Sequence, residues 1–222
     1  MDSGGYSALS KPPHRWPITV PQYADQIGRA AEEIGMLEWA APMDSMCEPH
    51  VLAGTGRTVE YHQHETVERY LELIDLVGVP VPPVLQGFTL ADYWRCVDFY
   101  AVAGVDLFSL PLVGLGTVCR RQATTEIGNL VRSLAAAGLP LHGFGVKLDG
   151  LAAYGRLLES ADSMAWSLGA RMAGPQEGCP HGKDGTGSCG NCIRYALEWR
   201  AKVVDRIGRG TAQLSFDLRS AV

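Results

Sequence analysis

Apolar positions along this chain switch repeatedly between two periods. Residues 20–34 (VPQYADQIGRAAEEI) space their apolar side chains three to four apart, which predicts an amphipathic helix. The short apolar run behind it, 36–42 (MLEWAAP), predicts a strand. The same couple recurs: a helix over 58–77 leads to a strand at 82–87 (PPVLQG), and a helix over 89–104 leads to a strand at 105–114 (VDLFSLPLVG). A helix over 123–138 precedes a strand at 139–146 (LPLHGFGV), and a helix over 148–161 precedes a last strand at 161–167 (ADSMAWS). Such alternation implies parallel strands with helical crossovers, an α/β fold.

Two architectures satisfy that pattern, an open doubly wound sheet and a closed TIM-type (β/α)8 barrel. The polar and glycine residues favour the barrel, because Asp44, Gln86, Gly114, Gly116, Gly143, Gly145 and Asp162 stand at the ends of several different strands. An open sheet gathers such groups at one switch point, often with a glycine fingerprint after its first strand; GLGTVC lacks the third glycine. Five complete strands can be counted, and DSGG at residues 2–5 reads as the end of another, whereas a closed barrel needs about eight. The expectation is a barrel lacking its first strands. Missing upstream sequence, a strand-donating partner chain and an incomplete barrel remain open explanations.

Composition narrows the class. The chain has 222 residues, 46% hydrophobic and 19% charged, which suits a globular protein with a sizeable core. No apolar run reaches membrane-spanning length and MDSGGYSALSKPPHRW has no signal-peptide core, so a cytoplasmic protein without membrane contact is expected. A net charge of −5 argues against a general nucleic-acid coating protein and leaves a local basic face open.

Six cysteines without an export signal read as thiols or metal ligands rather than a disulfide framework. The stretch CPHGKDGTGSCGNC supplies Cys179, His181, Cys189 and Cys192, three thiols and an imidazole, which is a tetrahedral structural zinc set. A redox CxxC is the competing reading; CxH in the same glycine-rich loop favours zinc. Cys47, Cys96 and Cys119 read as small core residues or incidental thiols. His62 and His64, two apart on a helix, do not share a face, so a metal pair there is not expected. Trp94, Tyr93 and Phe99 follow helical spacing and read as core.

Asp2, Asp44 and Asp162 each lie at a predicted strand-to-loop junction. Singly, each reads as a cap or turn residue. Asp162 stands out because ADSMAW sets a carboxylate in an apolar segment expected to be buried. Three carboxylates at one barrel mouth would suit displacement at an anomeric carbon, one as nucleophile and another as acid or base. CRRQ puts Arg120 and Arg121 beside that mouth, and the last helix carries Arg194, Arg200, Lys202, Arg206 and Arg209. This is either a solvated helix face or a phosphate-contacting strip.

These segments carry a resemblance. DSGGYSAL, APMDSMCEP, VLQG, VGLGTVCRRQ, LHGFGV and ADSMAWS are similar, in this order, to motifs of the tRNA-guanine transglycosylases. With CGNCIRYALEWR they most resemble the DpdA-like branch that inserts 7-deazaguanines into DNA. The resemblance implies that Asp162 is the nucleophile at C1′ and Asp2 the acid/base. It implies that Asp44 takes the purine N1–H and exocyclic amine, with Gln86, Gly114, Gly116 and Gly143 along the rest of the base. The family places a zinc site after its nucleophile strand in a CxCxxC pattern, from which the order here departs at His181. The expected function is exchange of guanine for a 7-deazaguanine, such as 7-cyano-7-deazaguanine, in DNA. The alternatives are the same exchange on tRNA, or a non-catalytic zinc-containing nucleic-acid-binding remnant. The expected partners are DNA and the deazaguanine base, with a partner chain or homodimer left open. The expected division is a βα-barrel catalytic domain over 1–172, a zinc-binding loop and C-terminal helix over 173–210, and a tail over 211–222.

Overall fold

The computed structural model describes residues 1–182 and 187–217. The parts of the cysteine-loop and tail expectations that fall on 183–186 and 218–222 lie outside the described residues, as does the side chain of Arg209.

Several helices open where the sequence supplies a threonine. α2 (Val20–Ile34) starts at Thr19, whose Oγ1 accepts from Gln22 N–H while Gln22 Oε1 accepts from Thr19 N–H. Thr58 caps α4 (Val59–Ile74), Thr89 with Asp92 caps α5 (Leu90–Val102), and Thr124 caps α6 (Thr125–Ala136). Each cap satisfies an amide that the first helical turn leaves without a partner.

Between the helices lie β1 (Val84–Leu85), β2 (Val113–Leu115), β3 (Leu141–Gly143) and β4 (Ser160–Ala161). They form one parallel sheet in the order β1-β2-β3-β4, with Val84 opposite Gly114, Val113 opposite Leu141 and His142 opposite Ser160. α5, α6 and α7 (Leu148–Tyr154) make the crossovers that parallel pairing requires. The α/β expectation holds. The sheet has four strands among the described residues, one fewer than the five complete strands expected, and exposed β4 lies at its edge.

Other expectations shift. Residues 36–42 form no regular strand. They nevertheless bond onward: Ala40 N–H donates to Pro80 O, Ala41 N–H to Met1 O and the Met1 nitrogen to Trp39 O. Of 105–114, Leu107–Ser109 form a 3-10 turn under an Asp106 cap, and strand begins only at Val113. The helix expected to 161 stops at Tyr154. The strand expected at 161–167 is confined to Ser160–Ala161, and Ala165–Ala173 form helix α8 instead. Short apolar runs fit both periods, and here Ala165, Leu168 and Met172 repeat at helical spacing. The short helices α1 (Gly5–Leu9) and α3 (Pro49–Thr55) carry no clear sequence periodicity. The domain boundary expected at 172 falls within α8, and α9 (Ile193–Asp217) runs through the one at 210.

The core lies between the sheet and helices α4 to α7. Leu85, Leu115 and Leu141 from the strands meet Tyr93, Tyr100, Ile127, Leu130 and Leu134 from the helices. The Tyr100 hydroxyl bonds both the amide and the carbonyl of Val84, and Tyr93 donates to Gly116 O at 2.6 Å. These two phenols anchor α5 to the strand ends without leaving a buried polar atom alone. Phe99 stacks on His64 at 4.0 Å and Trp94 packs against the core, as the spacing predicts. No described helix is long and apolar enough to cross a membrane.

Packing leaves no room at Gly114, where a Cβ would come within 2.6 Å of the Phe144 ring and 2.9 Å of Val84. Gly114→Ala is expected to lower stability by about 1–3 kcal/mol, the usual cost of overpacking. Thermal denaturation checks this, and an unchanged Tm would show that Phe144 yields freely.

Candidate active site and metal centre

The C-terminal ends of the parallel strands open into one cleft. Asp2, Asp44 and Asp162 all line it, although they come from distant parts of the sequence. Gly116, Thr117 and Cys119 follow β2, Phe144 and Gly145 follow β3, and Tyr6 enters from α1. The cleft encloses about 210 Å³. Polar groups at the carboxyl ends of parallel strands are where α/β folds place their chemistry.

Asp162 follows β4 directly. Its Oδ1 accepts from Gly145 N–H at 2.6 Å, and its own N–H donates to Gly143 O at 3.3 Å. Gly145 has φ 65°, a left-handed turn that aims its amide at the carboxylate. Asp162 is exposed rather than buried, because the chain leaves the edge strand here and its side chain faces the open cleft. Asp2 is also exposed, and its Oδ1 accepts from Gly4 N–H at 3.3 Å in the turn that opens α1.

Asp44 sits deeper. Gln86 Nε2 donates to its Oδ2, and Gln86 Oε1 accepts from Thr117 Oγ1 at 2.6 Å. Thr117, at φ 55°, also accepts from Cys47 N–H at 2.9 Å. Burial pushes the Asp44 carboxyl up to about 7, with the Gln86 bond opposing and Asp2 adding to the rise. Gln86 is fully buried with both ends of its amide engaged, so it positions Asp44 in this arrangement. A Cβ on Gly116 would overlap the Gln86 amide, which explains that glycine by packing. Gly114 and Gly143 pack against Phe144 and Val146 and are not among the cleft-lining residues.

Three residues gain importance that their sequence context hides. Cys119 reads as incidental but lines the cleft. Buried His142 bonds Ser160 Oγ through Nδ1 at 2.8 Å and makes edge contacts with the Trp39 and Phe144 rings. Glu48 lines the cleft while only 4% exposed, and the sole signal in MCEP is an acid one residue before a helix-starting proline.

The basic residues divide. Arg120 is exposed at the rim and donates to Tyr6 OH at 2.8 Å. Arg121 turns inward: it donates to Phe88 O at 2.9 Å, lies 3.9 Å over the Phe88 ring and pairs with Glu126 at 3.2 Å. Arg194 pairs with Glu198 on its own helix, and Arg200 is exposed.

The cysteine loop closes on itself beside α8. Cys179 Sγ lies 3.5 Å from both Cys189 Sγ and Cys192 Sγ, and 2.9 Å from His181 Nδ1. The four ligand atoms lie within 4.8 Å of one another. The separations exceed a disulfide's ~2.05 Å S–S bond. They approach the ~3.8 Å between sulfurs on a tetrahedron with ~2.3 Å metal–sulfur bonds. The cluster could hold a metal ion. Cys179, Cys189 and Cys192 pack with Ala170, so a bound ion would tie the loop to α8. Cys47 and Cys96 are buried thiols, and His62 is buried while His64 is exposed on the same helix.

The Asp44 environment makes a stability prediction. Its folded pKa of about 7 lies above the unfolded value of about 3.9. Between those values the folded state keeps a proton that the unfolded chain has released. The group's stability contribution is therefore complete below about pH 4 and lost as pH rises through about 7. Asp44→Asn should flatten this decline in urea denaturation between about pH 5 and 8, and an identical slope in wild type and variant would contradict it.

A search of curated proteins gives no match. The family model described as DeoxyPurine in DNA protein A (DpdA) matches residues 1–215, all but the last seven positions of the chain. That span takes in every carboxylate of the cleft and all four residues of the cysteine–histidine cluster, and the chain belongs to the DpdA family.

Proposed function

We propose that the chain is a transglycosylase that exchanges guanine in DNA for a 7-deazaguanine base through a covalent glycosyl-enzyme. The observation that carries this reading is the meeting of Asp2, Asp44 and Asp162 in one cleft at the ends of parallel strands. Family membership supports it.

Displacement at the sugar C1′ needs a nucleophile with a free lone pair and open access. Asp162 has both, with Oδ1 held by the Gly145 amide and the side chain exposed. In the first step an Asp162 oxygen bonds to C1′ as the C1′–N9 bond breaks, and Asp2 gives its proton to the departing guanine. In the second, Asp2 takes a proton from the incoming base, whose nitrogen attacks C1′ and releases Asp162. Two displacements retain the anomeric configuration. Asp44 accepts from the N1–H and amine edge of the base, fixed by Gln86. A paired guanine must first leave the duplex stack, and Arg120 at the rim contacts phosphate.

The four parallel strands are read as one arc of a βα-barrel wall. The backbone bonds linking Met1, residues 39–41 and Pro80 support this by continuing the parallel order ahead of β1. Cys179, His181, Cys189 and Cys192 are read as a structural zinc site, since three thiolates and an imidazole suit zinc and form a closed tetrahedral set. Zinc there would fasten the start of α9 to α8, and no chemical step runs through it.

Two outcomes test these readings. Asp162→Asn keeps the side chain's size and its contact with Gly145, and should abolish incorporation of labelled guanine into DNA while leaving folding and metal content intact. Comparable exchange in the variant would refute the nucleophile assignment. Purified protein should carry about one zinc per chain, and Cys189→Ser should lose it and lower the unfolding temperature, because metal binding and folding are coupled. Metal analysis that finds no zinc in unchelated wild type would refute the zinc site.

A further inference from the structure

Glu48 is a buried acid without a counter-ion. It lines the same cleft as Asp44 and is 4% exposed. It belongs to none of the ion pairs among the described residues. Its Oε1 is buried with no hydrogen-bond partner. Its Oε2 has only Thr117 Oγ1, at 3.4 Å. Although Glu48 precedes α3, its side chain does not cap that helix.

Hydrogen-bond direction limits what Thr117 can give. A threonine hydroxyl has one proton. Gln86 uses its Nε2 on Asp44, so its Oε1 faces Thr117 and must accept. That contact, at 2.6 Å, takes the proton in preference to Glu48 at 3.4 Å. No other residue gives Glu48 a strong donor on either oxygen. A buried carboxylate in that position is costly, whereas a neutral carboxyl group needs only an acceptor for its one proton.

The unmet need in the cleft is complementary. With Asp44 on the N1–H and amine edge of a guanine, the next atom around the ring is the O6 carbonyl oxygen, which requires a donor. Gln86 spends one Nε2 proton on Asp44, and although the amide carries a second, Gln86 is fully buried and does not line the cleft, which leaves room there for a further donor. We propose that Glu48 is a base-contacting residue, a neutral carboxyl group that donates a hydrogen bond to the O6 oxygen shared by guanine and 7-deazaguanines. The assignment rests on the base-exchange reading and adds a second recognition group to it.

The surrounding charges agree. Burial raises the Glu48 carboxyl above the usual carboxylate range, and its own backbone amide, then His50, Thr117 and Arg121, oppose that shift without cancelling it. Burial already raises Asp44, Cys47, Tyr93 and Cys119, an ionised Glu48 would raise each further, and a neutral Glu48 avoids that repulsion. A neutral acid that serves as a donor in an apolar site is an established catalytic device.

Glu48→Gln and Glu48→Leu separate the possibilities. Glutamine keeps one donor and one acceptor in nearly the same shape, and leucine keeps the volume alone. Guanine is titrated into wild type and both variants by calorimetry across pH, and base exchange into DNA is measured in parallel. The glutamine variant should bind guanine about as well as wild type, while the leucine variant should bind at least about tenfold more weakly for the loss of one buried hydrogen bond. Asp44 titrates in wild type and variant alike, so the ratio of wild-type to glutamine-variant affinity is the readout, and it should fall as pH rises through the Glu48 pKa. If the glutamine variant is as weak as the leucine variant, Glu48 acts as an anion and the proposal is overturned. If the leucine variant binds guanine and exchanges it normally, Glu48 makes no contact and only this proposal fails. If wild type neither binds guanine nor exchanges it, the base-exchange reading fails and takes this assignment with it.

Discussion

The site depends on a chain of hydrogen bonds that runs from Asp44 through Gln86 to Thr117 and on to the Cys47 amide. These four residues come from three separate stretches of sequence. Gln86 follows β1 and Thr117 follows β2, while Asp44 and Cys47 sit on a loop with no regular structure of its own. Residues 42–48 therefore take their shape from side-chain bonds rather than from a ladder. Ser45 adds a second tether through Glu65 Oε2 at 2.5 Å, and Arg69 bonds both Ser45 and Glu65. His62 adds a third through the Met46 carbonyl at 2.5 Å. Asp44 and Glu48, two of the cleft's four carboxyls, ride on this loop, so its fixation is what holds them in the cleft wall.

Charge sets a second constraint. The chain carries a net charge of −5, and its cleft gathers Asp2, Asp44, Glu48 and Asp162. Four anions facing a phosphodiester would repel the substrate. Burial relieves the conflict by raising Asp44 to about 7 and Glu48 above its ordinary range, so the deep carboxyls shed charge while exposed Asp162 faces the opening. Arg120, held at the rim by Tyr6, adds a positive group where a phosphate would pass. Depth thus separates the acids, with the buried Asp44 and Glu48 carboxyls easier to protonate and Asp162 exposed at the opening.

Much of this was legible in the sequence, and the misses have identifiable causes. The α/β alternation was readable because α2, α4, α5 and α6 combine helical spacing with threonine caps. Asp44 and Asp162 are readable because each closes an apolar run, Asp2 only through the DSGGYSAL motif, and the cysteine–histidine set because its ligands lie close in sequence. The exposure of Asp162 is not legible because ADSMAWS has the apolar run of a single strand, while the chain turns at the aspartate and continues as α8. Glu48 was invisible for a different reason. Its burial comes from Thr117 and the cleft wall about seventy positions away, and no local period encodes that. Arg121 looked like a phosphate ligand beside Arg120, but the Phe88 ring and carbonyl draw it inward.

The central claim is that Asp162 becomes covalently bonded to a sugar carbon. Protein is incubated with guanine-containing DNA, quenched in denaturant and digested with protease and nuclease, and the nucleotide-bearing peptide is mapped by mass spectrometry. The account predicts a deoxyribose phosphate remnant, without its base, on the Asp162 carboxylate. A remnant on Asp2 or Asp44 would contradict it, as would active exchange with no adduct on any peptide.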